Sequence, residues 1–219
     1  MAELADAILY GIIDLGYVDE EQAVGIAGSL LEGGVGILQL RAKERDPGEL
    51  LSLALLLKKR CEEYGVPFIV NDHVELARES GADGLHLGQD DGDLNSAREQ
   101  LAKGVIVGRS THSVEQALAA LEEGADYIGF GPLFPTPTKA GRPAIGLENV
   151  STVQETVGVQ IPVFCIGGIK PANLDQVLSA GAHRCVIVSH LLQAASPESE
   201  ARRILSIISN QKSQLSCPS

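Results

Sequence analysis

Short apolar segments alternate with amphipathic segments along the whole chain, and this alternation constrains the fold more than any other feature. The apolar segments are Ile8–Ile13, Ile37–Leu40, Phe68–Val70, Leu85–Leu87, Val105–Val107, Tyr127–Phe130, Val163–Ile166 and Cys185–Val188. Helical periodicity occupies segments between them, at Gly48–Tyr64, Val114–Glu123, Leu147–Val157 and Asn173–Ala180. A pattern that switches repeatedly between continuous apolar runs and a helical period predicts parallel strands joined by helical crossovers.

Polar residues and glycines gather at one end of the predicted strands. The carboxyl ends finish in Asp14, Gln39–Arg41, Asn71–Asp72, Gly88–Gln89, Ser110–Thr111, Gly131–Pro132, Gly167–Gly168 and Ser189. An open, doubly wound sheet concentrates such residues at one switch point, whereas here nearly every strand contributes. The sequence therefore predicts an α/β fold, a single-domain (β/α)8 TIM barrel over residues 1–209, followed by a polar C-terminal tail at 210–219.

The opposite ends of three strands carry a repeated Gly-Ala pair, which begins at Gly81, Gly124 and Gly181. Each pair stands where a helix should end and a strand begin. Glycine just past the last helical turn is typical of a left-handed C-cap. These pairs therefore mark the amino-terminal face of the predicted barrel.

Composition excludes several classes of function. The formal net charge of −12 over 219 residues argues against a nucleic-acid partner or an anionic membrane surface, so an anionic ligand requires a local cationic pocket. No run of 18 apolar residues occurs, and the first residues lack the basic region of a secretory signal. The four cysteines form no CxxC pair, as expected of free thiols in a reducing compartment. We therefore expect a cytoplasmic protein that does not enter membranes and whose partners are small molecules.

Gln39, Arg41 and Lys43 alternate after the second predicted strand. In an extended backbone their side chains point the same way, into the mouth of the barrel. Two cations and an amide donor that converge there suit a diphosphate. The alternative is a surface loop with solvated charges, because residues 44–46 are also charged.

Asp72 and Asp91 follow the third and fourth strands, which are neighbours in a barrel. Two carboxylates, together with phosphate oxygens and water, make a Mg²⁺ site. Helix capping is the alternative, since Asp72 precedes Glu75 at capping-box spacing and Asp91 stands beside Asp93. The adjacent Asn71 suits either a phosphate contact or the closure of a turn.

The segment Gly131–Lys139 after the sixth strand is the most distinctive in the chain. Three prolines restrict its backbone, while Thr136, Thr138 and Lys139 bring two hydroxyls and an ammonium together. This combination is suited to gripping a phosphorylated ligand without an ordering penalty. A purely structural turn is the alternative.

The fifth, seventh and eighth strands end in further candidates. The Ser110 hydroxyl can contact a bound ring, and the nearby His112 is either structural or an acid/base. Gly168 and the pair Val188 and Ser189 occupy the two places where barrels most often bind phosphate through loop amides. Tight strand-to-helix turns are the alternative. All of these candidates fall on the same predicted face, and that coincidence indicates one ligand site.

In combination these segments closely resemble the thiamine phosphate synthase family. The matching motifs are Gln39–Lys43, Asn71–Asp72, Gly81–Asp91, Gly129–Lys139 and Ile166–Ile169. The likeness runs from about Leu9 to Leu192 and preserves the spacing from each strand end to the next. The resemblance implies a Mg²⁺-dependent transferase that couples 4-amino-5-hydroxymethyl-2-methylpyrimidine diphosphate to hydroxyethylthiazole phosphate and releases diphosphate.

The resemblance also implies roles for individual residues. The residues implied to bind the pyrimidine diphosphate are Gln39, Arg41, Lys43, Asn71, Ser110 and Lys139. Arg41, Lys43, Ser110 and Lys139 form the implied catalytic set, and Asp72 and Asp91 match the metal positions. The residues implied to hold the thiazole phosphate are Thr136, Thr138, Gly168, Val188 and Ser189.

Two other functions remain as alternatives. A thiazole tautomerase, an isomerase on a similar barrel, resembles the chain around Ser110–Ser113 and would use His112 as acid/base. A non-catalytic barrel that binds a thiazole phosphate is the other. Neither has a diphosphate to hold, so the complete cationic set and both aspartates favour the synthase.

Overall fold

The computed structural model describes residues 4–43, 45–136 and 143–215, with side chains described as far as residue 211. The eight predicted strands form a closed parallel barrel in chain order, and β1 pairs with β8 to complete it. The predicted (β/α)8 fold is confirmed. Its strands are β1 (Leu9–Asp14), β2 (Ile37–Arg41), β3 (Phe68–Asn71), β4 (Gly84–Leu87), β5 (Ile106–Thr111), β6 (Tyr127–Phe130), β7 (Val163–Cys165) and β8 (Cys185–Ile187).

Helices follow the strands and surround the barrel. They are α1 (Glu20–Glu32), α2 (Leu51–Tyr64), α3 (Val74–Ser80), α4 (Leu94–Gln100), α5 (Val114–Glu122), α6 (Val150–Thr156), α7 (Pro171–Ser179), α8 (Ser189–Leu192) and α9 (Pro197–Leu215). Short 3₁₀ helices at Leu4–Asp6 and Pro47–Leu50 precede β1 and α2. Within the described ranges, no helix is both long and apolar enough to cross a lipid bilayer.

The ends of two elements differ from the sequence prediction by more than those of the others. β5 was expected at Val105–Val107 but continues to Thr111, because its polar residues are buried and bonded. The Arg109 guanidinium, for example, donates to the Gly88 carbonyl at 2.7 Å and to the Glu123 carboxylate at 3.1 Å. At the C-terminus, α9 extends to Leu215, past residue 210, at which the polar tail is predicted to begin.

The apolar interior has two parts, separated by the sheet. The larger part lies between the strands and the surrounding helices and includes Leu38, Leu40 and Val70. The smaller part fills the barrel lumen, where Tyr10 and Tyr127 each meet Phe164 edge to face, with ring centroids 5.4 and 5.8 Å apart. These aromatic rings close the lumen beneath the carboxyl-terminal mouth.

Gly-Ala-Asp sequences tie the amino-terminal ends of neighbouring strands together. Gly81 ends α3 in the left-handed conformation, with φ 63°, as its sequence predicted. Asp83 then accepts a hydrogen bond from the backbone N–H of Phe68 at 2.9 Å. Asp126 repeats the arrangement with the N–H of Val107 at 2.7 Å. Each aspartate therefore links the strand that follows it to the preceding strand.

The lumen leaves no room for a side chain at Gly108 on β5. A Cβ at this position would lie 2.2 Å from the Tyr127 ring. We expect Gly108→Ala to displace that ring and to lower the free energy of unfolding by about 1–3 kcal/mol. Gly25→Ala is the matched control, because nothing lies within 4 Å of a Cβ in that part of α1, and it should stabilise by about 0.5–1 kcal/mol. Urea denaturation of both variants measures the difference, and equal stabilities would contradict this packing.

Candidate functional site

A cavity of about 330 Å³ opens at the carboxyl-terminal mouth of the barrel. The predicted site residues that line it are Gln39, Arg41, Asn71, Ser110, Thr136, Gly168, Val188 and Ser189. They come from strand ends and loops on opposite sides of the barrel. The structure therefore brings these residues together at one site, as the sequence predicted. Thr138 and Lys139 lie outside the described residues.

Arg41 is held in place by a buried ion pair. Its Nη1 lies 2.7 Å from Oδ2 of Asp14, and the exposed fractions of the two side chains are 12% and 3%. Asp14 also accepts a hydrogen bond from the backbone N–H of Gly16 at 2.9 Å, so its carboxylate is anchored on both sides. An anchored guanidinium presents its charge to the cavity at little entropic cost.

Asp72 and Asp91 meet at the rim of the mouth, where their carboxyl groups are in hydrogen-bonding contact. Partial burial and the Asp91 carboxyl group raise the pKa of Asp72 to about 6, while the charges of Lys43 and Arg41 oppose this rise. Lys43 is exposed, outside the β2 strand, and its charge acts on this pair. The rim therefore combines two carboxylates with two cations.

Neither aspartate caps a helix. α3 begins after His73 without a side-chain cap, and Asp72 has a left-handed φ of 64°, which is uncommon for a residue other than glycine. Asp93, not Asp91, caps α4 by accepting from the Ser96 N–H at 2.8 Å. Asp91 instead closes its own loop through the Gly88 N–H at 2.8 Å. The capping alternative is therefore wrong for both residues.

A chain of hydrogen bonds crosses the lumen floor. The Gln39 amide nitrogen donates to the Tyr10 hydroxyl at 2.7 Å, and that hydroxyl lies 3.0 Å from the Tyr127 hydroxyl. Tyr127 in turn lies 3.0 Å from Nδ1 of His86, whose Nε2 lies 2.9 Å from the Ser110 hydroxyl. The hydrogen-bond chain ends at Gln39 and Ser110, and the sequence predicted both residues to be in the site.

The amino-acid sequence matches a family model described as thiamine monophosphate synthase over residues 9–191. A thiamine-phosphate synthase of Thermus thermophilus is 50% identical over 174 residues, which cover 80% of this chain and 83% of that protein. The chain belongs to the thiamine-phosphate synthase family. A relative of the same name from Lawsonia intracellularis is 42% identical over 86% of this chain and 87% of its own.

Solved structures agree with this family. Thiamine phosphate pyrophosphorylase from Pyrococcus furiosus superimposes with a TM-score of 0.85 and is 33% identical, covering 95% of this chain and 99% of its own. The family resemblance inferred from the sequence motifs is therefore confirmed. These relatives give no support to the thiazole tautomerase alternative, because they carry the synthase name.

His112 is tied to the loop after β6 of this synthase-family barrel. Its Nδ1 makes a hydrogen bond to the carbonyl oxygen of Gly131, and its backbone N–H donates to Oε1 of Gln116 at 2.8 Å. Ser113 caps α5 by accepting from the Gln116 N–H at 3.2 Å. His112 lines the cavity, but these contacts also give it a clear structural role.

The loops after β6 and β7 pack closely against each other at the mouth of the barrel. Gly168 has a φ of 64°, and a Cβ there would lie 2.8 Å from Cβ of Phe134. The Asn173 side chain donates to the Gly168 carbonyl at 3.0 Å, which fixes the turn into α7. Only glycine allows the two loops to approach this closely.

Sequence reasoning assigned no role to Tyr10, His86, Tyr127 or His190, which also line the cavity. The first three lie within strands that were treated only as apolar runs. A polar side chain inside such a run was the available signal, because a lumen-facing position is where it can find partners. His190 follows the predicted Ser189 directly, and its Nε2 lies 2.6 Å from Glu200 of α9.

Glu200 joins α9 to the mouth and makes stability depend on pH. Its bonds to Arg203 and His190 lower its pKa from an ordinary 4.5 to about 2, so its contribution is complete above pH 4.5 and is lost as the pH falls toward 2. We expect Glu200→Gln to lower the free energy of unfolding by about 1 kcal/mol near neutral pH.

The difference between Glu200→Gln and the unaltered chain should shrink as the pH is lowered below 4.5. Denaturant titrations at several pH values measure it. Glu198→Gln on the same helix is the matched control, because that carboxylate pairs only with Arg202 on the exposed face among the contacts described. A pH-independent loss in Glu200→Gln would contradict the assignment.

Proposed function

We propose that this chain couples 4-amino-5-hydroxymethyl-2-methylpyrimidine diphosphate to hydroxyethylthiazole phosphate, forming thiamine phosphate and diphosphate. One observation supports this above the others: a single cavity carries a cationic side, with Arg41 from β2, and a glycine-rich side, with Gly168 and Ser189 after β7 and β8. Two anionic substrates therefore have separate places beside each other. Family membership supports the same reaction.

The cationic side assists departure of the diphosphate. Loss of this group from a methylene beside an electron-rich aminopyrimidine leaves a stabilised cation, and negative charge accumulates on the diphosphate. The anchored Arg41 and the nearby Lys43 stabilise that charge. Asn71, Ser110 and Lys139 complete the contacts with the pyrimidine diphosphate in this proposal.

The second step needs no base. The thiazole nitrogen that attacks the cation carries no proton, so orientation and exclusion of water are the remaining requirements. Thr136, Thr138, Gly168, Val188 and Ser189 hold the thiazole phosphate in this proposal. The apolar lumen beneath the cavity, with Phe164 fully buried, shields the reacting atoms from water on that side.

Asp72 and Asp91 fit Mg²⁺. Their carboxyl groups are in contact, and partial burial together with the Asp91 carboxyl group raises the pKa of Asp72, so a bound cation would favour its ionised form. No group of three or more acidic, histidine or cysteine ligands occurs in the described part of the chain. Mg²⁺ often binds through one or two carboxylates, with water and phosphate oxygens as its other ligands. When bound, it neutralises charge on the diphosphate.

We also infer that the protein acts in the cytoplasm without nucleic-acid or membrane partners. Its acidic charge and its phosphorylated small-molecule substrates support this.

Substitution of Asp72 or Asp91 tests the proposed reaction. We expect the unaltered chain, mixed with both substrates and Mg²⁺, to form thiamine phosphate, and Asp91→Asn or Asp72→Ala to lower kcat/KM by at least about a hundredfold. Asp93→Asn is the control, because asparagine still caps α4 and this exposed side chain bonds to Ser96. Absence of product from the unaltered chain would disprove the proposal. A His112→Ala variant that is inactive, beside an active Asp72→Ala, would favour the tautomerase.

Metal dependence has a readout separate from turnover. Diphosphate should raise the melting temperature of the unaltered chain when Mg²⁺ is present and much less when EDTA replaces it, because a ligand stabilises the state that it binds. In Asp91→Asn the Mg²⁺-dependent part of this shift should disappear, while Asp93→Asn should retain it. Equal shifts with Mg²⁺ and EDTA in the unaltered chain would exclude a shared metal–diphosphate site.

A further inference from the structure

The hydrogen-bond chain across the lumen floor can be ordered in only two ways. Tyr10 and Tyr127 are buried, and burial raises the pKa of both hydroxyls, so each keeps its one hydrogen. A buried hydroxyl hydrogen without an acceptor is costly. Two hydroxyl oxygens 3.0 Å apart also need a hydrogen between them, so the bonds all run from Gln39 toward Ser110 or all run in the opposite direction.

The placement of the Gln39 amide identifies which of the two directions the structure has. Its amide nitrogen faces Tyr10 at 2.7 Å and can only donate, so the Tyr10 hydroxyl accepts this bond and donates its own hydrogen to Tyr127. Tyr127 then donates to Nδ1 of His86. The proton of the neutral imidazole is consequently on Nε2, which donates to the Ser110 hydroxyl oxygen.

This direction decides what the two ends present to a ligand. Because the Gln39 nitrogen is bonded to Tyr10, the Gln39 carbonyl oxygen is its group for accepting a hydrogen bond in the cavity. Because the Ser110 oxygen accepts from His86, the Ser110 hydroxyl hydrogen points away from His86. An acceptor at one end and a donor at the other match the amino group and a ring nitrogen of an aminopyrimidine.

We propose that Tyr10, Tyr127 and His86 are positioning residues that orient Gln39 and Ser110 so that the cavity selects a 4-aminopyrimidine over its 4-oxo analogue. Reversal of the Gln39 amide would reverse every bond and invert this preference. Selection at this level is strong, because a site built to pair with a polar group rejects an analogue that leaves that group unpaired. The identity of the ligand rests on the proposed function, whereas the direction of the hydrogen bonds rests on the structure alone.

The first experiment measures the His86 tautomer by ¹⁵N NMR in the protein without substrates, with the signal assigned from its loss in His86→Gln. We expect the proton on Nε2 in the unaltered chain. In Tyr127→Phe, Nδ1 loses its donor and the spectrum should shift toward a tautomer mixture. Tyr64→Phe is the matched control, since it removes a surface hydroxyl bonded to Glu32 and should leave the signal unchanged. A proton on Nδ1 in the unaltered chain would overturn the proposal.

The second experiment measures binding by calorimetry and does not require turnover. We expect Tyr127→Phe and Tyr10→Phe each to weaken binding of the 4-amino pyrimidine diphosphate about tenfold and to reduce its preference over the 4-oxo analogue, as loss of one bond in a buried chain predicts. Binding of the thiazole phosphate should change by less than about twofold, which a general loss of structure would not produce. Equal losses for both substrates would contradict positioning.

The third experiment tests action through Ser110. In a Ser110→Ala background, Tyr127→Phe should weaken pyrimidine diphosphate binding by clearly less than tenfold, because one of the two groups that it orients is already absent and only Gln39 remains. A full tenfold loss in that background would show that Tyr127 acts independently of Ser110. If the protein makes no thiamine phosphate but His86 carries its proton on Nε2, the proposed reaction is disproved and the direction of the hydrogen bonds is still supported.

Discussion

Backbone pairing between β1 and β8 closes the sheet, and every part of the site depends on this closure. A closed parallel barrel has no exposed edge, and it places all eight carboxyl ends at one rim. Residues as distant in sequence as Gln39 and Ser189 consequently share one cavity of about 330 Å³. The same closure creates a lumen in which side chains from opposite strands, such as Tyr10 and Tyr127, come into contact.

The lumen floor combines packing with polarity. Phe164 meets both tyrosine rings edge to face, so the aromatic cluster excludes water, while the tyrosine hydroxyls bond to each other and to their neighbours. Polar groups in such surroundings are stable only when their hydrogen bonds are complete. A continuous chain from Gln39 to Ser110 meets this requirement and gives the bottom of the cavity a definite chemical direction.

The rim differs from the lumen floor because it brings two carboxyl groups into contact. Asp72 and Asp91 are in contact, and the pKa of Asp72 is raised to about 6 by burial and by its neighbour. Asp72 also has a left-handed backbone conformation. Residues with a shifted pKa or an uncommon backbone conformation are concentrated at functional sites. By contrast, the Asp14 carboxylate is paired with a cation, because it forms a buried ion pair with Arg41.

The sequence by itself determined the number and order of the strands, the face that carries the site, the family, and eight of the residues that line the cavity. These follow from local periodicity and from motifs, which are properties of neighbouring residues. Tertiary structure alone decided that Asp72 meets Asp91 rather than capping a helix, that Lys43 lies outside the β2 strand, and that His86 joins Tyr127 to Ser110. Contacts between side chains on different strands depend on register and barrel curvature, which no local pattern encodes.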